Sequence, residues 1–220
     1  MNVASASAAL PEFITEKGGH EAGMLMPIPG PITLSTTKGE RLKCSSGFMD
    51  ALFTGPSTLR EKMRFEHCET YLFGWHSCHN YVKGSETGVE TGWLAGRLGY
   101  ISKASKTVGV ELEGEAGGET PIFLNEIECP EHVAIKDATV TGHLIGKITP
   151  VNSLTGKLTF TYNVKGGLQE ITGFEGGPFE RQLNWKWEPT FSPEPVGLAM
   201  TATGELDGAG GSEIKGFIVG

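Results

Sequence analysis

From about residue 40 to the C-terminus, apolar and polar side chains alternate with period two, and this pattern constrains the fold of the 220-residue chain more than any other feature. Leu158, Phe160, Tyr162 and Val164 fall on one face of a pleated segment, with Lys157, Thr159, Thr161, Asn163 and Lys165 on the other. Leu183, Trp185 and Trp187 alternate with Gln182, Asn184, Lys186 and Glu188, and Val108, Val110 and Leu112 with Glu111 and Glu113. Such segments are half-buried antiparallel strands, with core on one side and water on the other. No long segment carries apolar residues at helical spacing. The one weakly helical stretch, Ser57 to Arg64, is short, so helix should be scarce.

Turn chemistry separates the alternating runs: Gly55-Pro56, Gly117-Gly118, Gly166-Gly167, Gly176-Gly177-Pro178 and Asp207-Gly208. Frequent turns also explain why 32 Gly and 12 Pro are spread along the chain instead of gathered in one linker. The reading is roughly ten strands: near 33–44, 47–54, 60–68, 88–101, 107–115, 121–129, 132–149 in one or two pieces, 155–165, 180–188, 196–206 and 212–219. Strands this closely spaced predict an all-β, single antiparallel domain, barrel-like or sandwich, and not βαβ units. All-β domains of this length commonly form one unit.

The first residues read differently. Ala4-Ser5-Ala6 and Ala6-Ser7-Ala8 are A-x-A patterns of the kind that precede a signal-peptidase cut, which leads to the expectation of an exported protein whose mature form starts near Ala9. Residues 9–31, with Pro11, Pro27, Pro29 and Pro31, read as an extended arm laid over the domain or left mobile. The expected organisation is a signal-peptide remnant and arm over 1–31, then an all-β domain over 32–220.

Four cysteines, Cys44, Cys68, Cys78 and Cys129, make an even count, which in an exported protein suggests two disulfides with three connectivities open. Proximity favours Cys68 with Cys78 across a short loop, leaving Cys44 with Cys129. In the chain-entropy picture the short loop would contribute about 3 kcal/mol and the long one somewhat over 4. Metal binding is the competing reading, because His67, Cys68, His76, Cys78 and His79 crowd together. The spacing lacks a C-x2-C knuckle and fits no usual zinc pattern, so no metal and no cofactor is expected.

A formal charge of −8 gives no basic footprint and argues against nucleic acid as a partner. No window approaches eighteen uninterrupted apolar residues, so no membrane-spanning helix is expected.

Several segments in order carry a resemblance: Gly96-Arg97-Leu98-Gly99-Tyr100-Ile101, Val108-Gly109-Val110, Gly142-His143-Leu144-Ile145-Gly146-Lys147-Ile148-Thr149-Pro150-Val151-Asn152 and Phe174-Glu175-Gly176-Gly177. Together with the four cysteines and Ala9-Leu10-Pro11-Glu12-Phe13, the chain resembles predicted secreted β-rich proteins of actinobacteria, uncharacterised in function. The resemblance implies export and a disulfide-bearing β fold. It carries no catalytic or binding residues. On the residues themselves, Gly142 and Gly146 mark close backbone approach, a bulge or a bend. Thr149-Pro150 should end a strand, and Phe174 should anchor the turn at 176–178.

No G-x-S-x-G elbow is present and no triad can be assembled from spacing, so an enzyme is not expected and a secreted hydrolase ranks last. Glu111, Glu113 and Glu115 share a strand face that could bind calcium, but no calcium loop supports it, and a solvated face is the plainer reading. Trp185 and Trp187, in phase with Leu183, read as core. Tyr71, Phe73 and Trp75, by contrast, sit between Cys68 and Cys78, where exposed aromatics would serve binding; these three are the candidate surface patch. The leading expectation is therefore a non-catalytic secreted or cell-envelope module acting on an unknown surface. The alternative is a carrier holding a small apolar ligand in a barrel interior. Self-association through the N-terminal arm, by addition to a neighbour's sheet edge, is a further option.

Overall fold

The alternating runs fold as antiparallel strands in a computed structural model that describes residues 9–72, 76–81, 88–115, 123–128, 137–179, 182–188, 192–208 and 211–220. The N-terminal third supplies β1 (Glu12–Thr15), β2 (Glu21–Ile28), β3 (Ile32–Thr36), β4 (Gly39–Thr54) and β5 (Thr58–Leu72). There follow β6 (His76–Tyr81), β7 (Gly88–Glu90), β8 (Leu94–Ser102), β9 (Thr107–Gly114) and β10 (Phe123–Glu128). Next come β11 (Asp137–Thr141), β12 (His143–Thr149) and β13 (Lys157–Tyr162). Two tiny hairpins, β14 (Val164–Lys165) with β15 (Leu168–Gln169) and β16 (Gly173–Phe174) with β17 (Gly177–Pro178), then precede the last three strands. These are β18 (Leu183–Glu188), β19 (Glu194–Glu205) and β20 (Gly216–Val219). No helix occurs among the described residues, and Ser57 to Arg64, weakly helical by pattern, lies almost wholly within β5.

Hydrogen-bonded neighbours close on themselves. The ladder from β13 through β12, β9, β8, β5, β4, β3 and β19 returns to β13. A second branch leaves β5 near its C-terminal end, where Glu69–Leu72 pair with His76–His79, and passes through β6, β10, β11 and β18 to Glu194–Val196 of β19. The long β5 and β19 thus serve both branches. β1 pairs with β20, and the Phe13 ring stacks on Phe53 of β4, 3.9 Å between centroids.

The segment read as an extended arm is built into this sheet. β2 pairs along its whole length with Gly47–Thr54 of β4, burying Met24, Met26 and Ile28. β4 changes partner from β3 to β2 where Pro29-Gly30-Pro31 crosses it. Gly30 has φ +71°, and a Cβ there would collide with the Ser45 carbonyl, so only glycine fits. On its other edge β2 lies beside β19 with no ladder between them among the described residues; the nearest backbone link is one reciprocal pair of hydrogen bonds just past the end of β19, Gly23 with Asp207, both 2.8 Å. Pro27 and Pro29 have no N–H to offer there. This seam is packed without being laddered: a Cβ on Gly204 of β19 would clash with the Met26 side chain.

The described inward positions pack closely. Leu158, Phe160, Tyr162, Val108, Val110, Leu112, Leu183 and Trp185 are all buried, as their phase requires. The glycines of the inward faces are occupied by neighbours instead of leaving space. A Cβ on Gly146 would lie 2.5 Å from the Tyr162 ring, and one on Gly96 3.0 Å from both Leu59 and Leu112. Gly142, at φ +109°, sits against the Gln182 carbonyl, and β12 ends at Thr149. Phe174 is buried, its ring filling the space above Gly99.

The cysteine pairing departs from expectation. Cys44 of β4 and Cys68 of β5 stand directly opposite in register and are bonded to each other, which overturns both Cys68–Cys78 and Cys44–Cys129. A short Cys68–Cys78 loop requires β5 to end near Cys68. The strand instead runs on to Leu72, placing Cys68 in mid-strand beside β4, while the backbone of Cys78 pairs with Thr70. Cys129 lies outside the described residues. Cys44–Cys68 is the one disulfide among the residues whose side chains are described.

Candidate functional site

Three features of the fold carry chemistry beyond ordinary packing. The first is on the outer face of β2, β4 and β5. Leu25, Phe48 and Leu52 are exposed by 58, 43 and 40% and form an apolar row over the first two strands, interrupted by Asp50. Alternation forces this placement, because Met24, Met26, Met49, Ala51 and Phe53 take the inward positions. Beside the row runs a basic stripe on β5. Arg60 lies over the ring of the partly exposed Trp93, 4.9 Å from its centroid, and pairs with Glu115; Lys62 pairs with Glu90. Isolated apolar residues on a surface are ordinary, but an apolar cluster rimmed by charge is the usual form of a contact surface.

The second feature joins β8, β9 and β12. His143 is buried, with Nδ1 3.0 Å from Glu111 Oε1 and Nε2 3.4 Å from Glu113 Oε2. Arg97 Nε donates to Glu111 Oε2 at 2.7 Å, and its guanidinium lies 5.2 Å from the Phe174 centroid. Partial burial would push the Glu111 carboxyl up, but the hydrogen bonds and charges of His143 and Arg97 outweigh it and hold the carboxyl below its ordinary value. Gln169 completes the cluster: its amide oxygen accepts from Ile145 N–H at 2.8 Å and its Nε2 donates to the His143 carbonyl at 2.7 Å. This set pairs the His143 ring with two carboxylates. It reads as a strand clamp, and Gln169→Leu is expected to cost about 3 kcal/mol in urea unfolding, because two buried backbone groups lose their partners together.

The third feature is inside. Glu61 of β5 points inward with Leu59, Met63 and Phe65, and its residue is wholly buried. Tyr162 donates its hydroxyl across the interior to Glu61 Oε2 at 2.9 Å, whereas Oε1 has no hydrogen-bond partner among the described residues. Burial pushes the carboxyl up to about 8, the tyrosine bond only partly opposing this. Burial, then the neighbouring carboxyl, pushes the Tyr162 hydroxyl well above its ordinary value. At neutral pH the acid is thus mostly protonated. The sequence signal for it was available: a carboxylate in phase with the apolar face of a strand at 59, 61, 63 and 65.

Of the aromatic patch expected from sequence, Phe73 and Trp75 lie outside the described residues. Tyr71 is placed by its backbone alone, opposite Ser77 in the β5–β6 ladder. Glu111 and Glu113 meet His143 and Glu115 meets Arg60, so the three do not act as one acidic face. No group of His, Cys, Asp and Glu suited to a metal ion occurs among the described residues, and none of their helices is long and apolar enough to cross a membrane. Comparison with protein-family models, curated proteins and solved structures finds no match.

Proposed function

We propose that this chain is a non-catalytic binding or structural module, exported to the cell surface or beyond, that works by contact through its outer face. The observation that carries the reading is the exposed row Leu25, Phe48 and Leu52 beside Arg60 and Trp93, set on strands whose described inward positions are apolar and closely packed. A carrier would need the interior space that Tyr162, Met26 and Leu59 take up. The Cys44–Cys68 bond fits an oxidising compartment. Kinship with secreted actinobacterial proteins is part of the same proposal, as is a barrel-like closure of the ring.

The test is sedimentation with purified actinobacterial cell-wall fragments. The unaltered protein should pellet with them, and the Leu25→Ser, Phe48→Ser, Leu52→Ser triple variant should bind at least tenfold more weakly, since a central apolar cluster supplies most of a contact's free energy. Circular dichroism would show that the variant keeps its fold, because all three side chains point to water. Failure of the unaltered protein to pellet, or equal pelleting of the variant, would remove the reading.

A further inference from the structure

The buried acid and the unladdered seam belong to one region. Glu61 faces Ala51 across the β5–β4 ladder, and Ala51 faces Met24 of β2, so the acid lies on the same rung as the strand that borders the seam. Its tether comes from the opposite side: Tyr162 on β13 pairs with Met200 of β19. Tyr162 and Met200 also line an open groove of about 510 Å³ between the β19 residues Thr201 and Thr203 and the proline segment at Pro27, Pro29 and Pro31. Tyr162, the hydrogen-bond partner of Glu61, thus belongs both to the lining of the groove and to the buried interior.

We infer that Glu61 and the β2–β19 seam form a pH-sensitive gate, shut over the packed interior while the carboxyl is neutral and opened when it ionises. An ionised carboxylate in the interior has one hydroxyl for solvation, and the seam is where water reaches it at the expense of one reciprocal hydrogen-bonded pair and no ladder. No other charge answers it. The inward positions of the surrounding strands are Ala51 on β4, Met24 on β2, Leu94 on β8, Leu112 on β9, Gly146 on β12 and Met200 on β19, so Tyr162 is the one titratable group facing Glu61 among the described residues. Arg60 and Lys62, its neighbours in sequence, turn outward to Glu115 and Glu90.

The sign follows from the carboxyl's position near 8 in the closed form against 4.5 when solvated. The closed form is fully favoured below the solvated value and loses ground as pH rises through the buried one. The opening constant should thus climb about tenfold per pH unit well below the buried value, about 50-fold in all between pH 6 and 8, and then level off.

Native-state amide exchange of the full chain, corrected for intrinsic base catalysis, reads this directly. In the unaltered protein the opening constants at 24–28 and 200–205 should rise about 50-fold from pH 6 to 8, while those of β8 and β9 stay level. In Glu61→Gln, which keeps an acceptor for Tyr162 and has nothing to ionise, the rise should vanish; Glu61→Met serves if the glutamine variant does not fold. A flat profile in the unaltered protein, an equal rise in the variant, or a rise shared by β8 and β9 would each overturn the gate.

Discussion

Gly146→Val should cost the fold about 4 kcal/mol, close to the whole margin of many natural domains. The first Cβ of the new side chain would lie 2.5 Å from the Tyr162 ring, and β12 is held in place by ladders to β9 and β13. The ring is rigid, and its hydroxyl is engaged on the far wall. Overpacking of a filled interior typically costs about 1–3 kcal/mol. Displacing the tyrosine adds a second cost, because Glu61 would lose its one hydrogen bond among the described residues, worth about 1–3 kcal/mol for a buried polar group. Urea unfolding with and without Tyr162→Leu separates the two. In the leucine background the valine should cost less than about 1.5 kcal/mol, because the clashing ring is gone. Equal costs in both backgrounds would show that the ring is not what the valine meets.

Removing the disulfide is the other large change. Cys44 and Cys68 are separated by 24 positions, and a crosslink closing a loop of that size restricts the unfolded chain by about 3.5 kcal/mol at 25 °C. Cys44→Ala with Cys68→Ala should lower the melting temperature by about 8 °C for a chain of this size. Both positions are buried, so their loss also removes sulfur packing between β4 and β5. Thermal melts of the double variant beside the oxidised parent would decide the matter, a difference below about 2 °C counting against the crosslink as a stabilising element.

Strand positions were legible where the periodic signal stood alone. Lys157 to Tyr162 and Thr107 to Gly114 lie in strands, with the expected residues inward, because a half-buried strand imposes the same two-residue repeat on sequence and structure. Trp185 is core for the same reason. The N-terminal segment misled because its prolines suggested an arm. In fact Met24, Met26 and Ile28 keep the repeat, and Pro27 and Pro29 lie along the margin where no ladder forms. The disulfide was beyond reach, since which cysteine faces which depends on the register of two long strands and on β5 continuing past Cys68. The outer apolar row was similarly hidden: strand pairing sets Leu25 diagonally between Phe48 and Leu52, both distant from it in sequence. Glu61 was in plain view, an exception to the alternation whose partner lies 101 residues away.

The proline-bordered margin between β2 and β19 has one more consequence. An incompletely zipped sheet is normally an invitation to fibrillar stacking, since a second molecule can dock its own backbone donors and acceptors along the exposed border. Here one lip of that border carries Pro27, Pro29 and Pro31, which lack the amide hydrogens an incoming chain would need, and the other is shielded by Met26 packed over Gly204. The molecule can keep a place that yields without becoming a seed for aggregation.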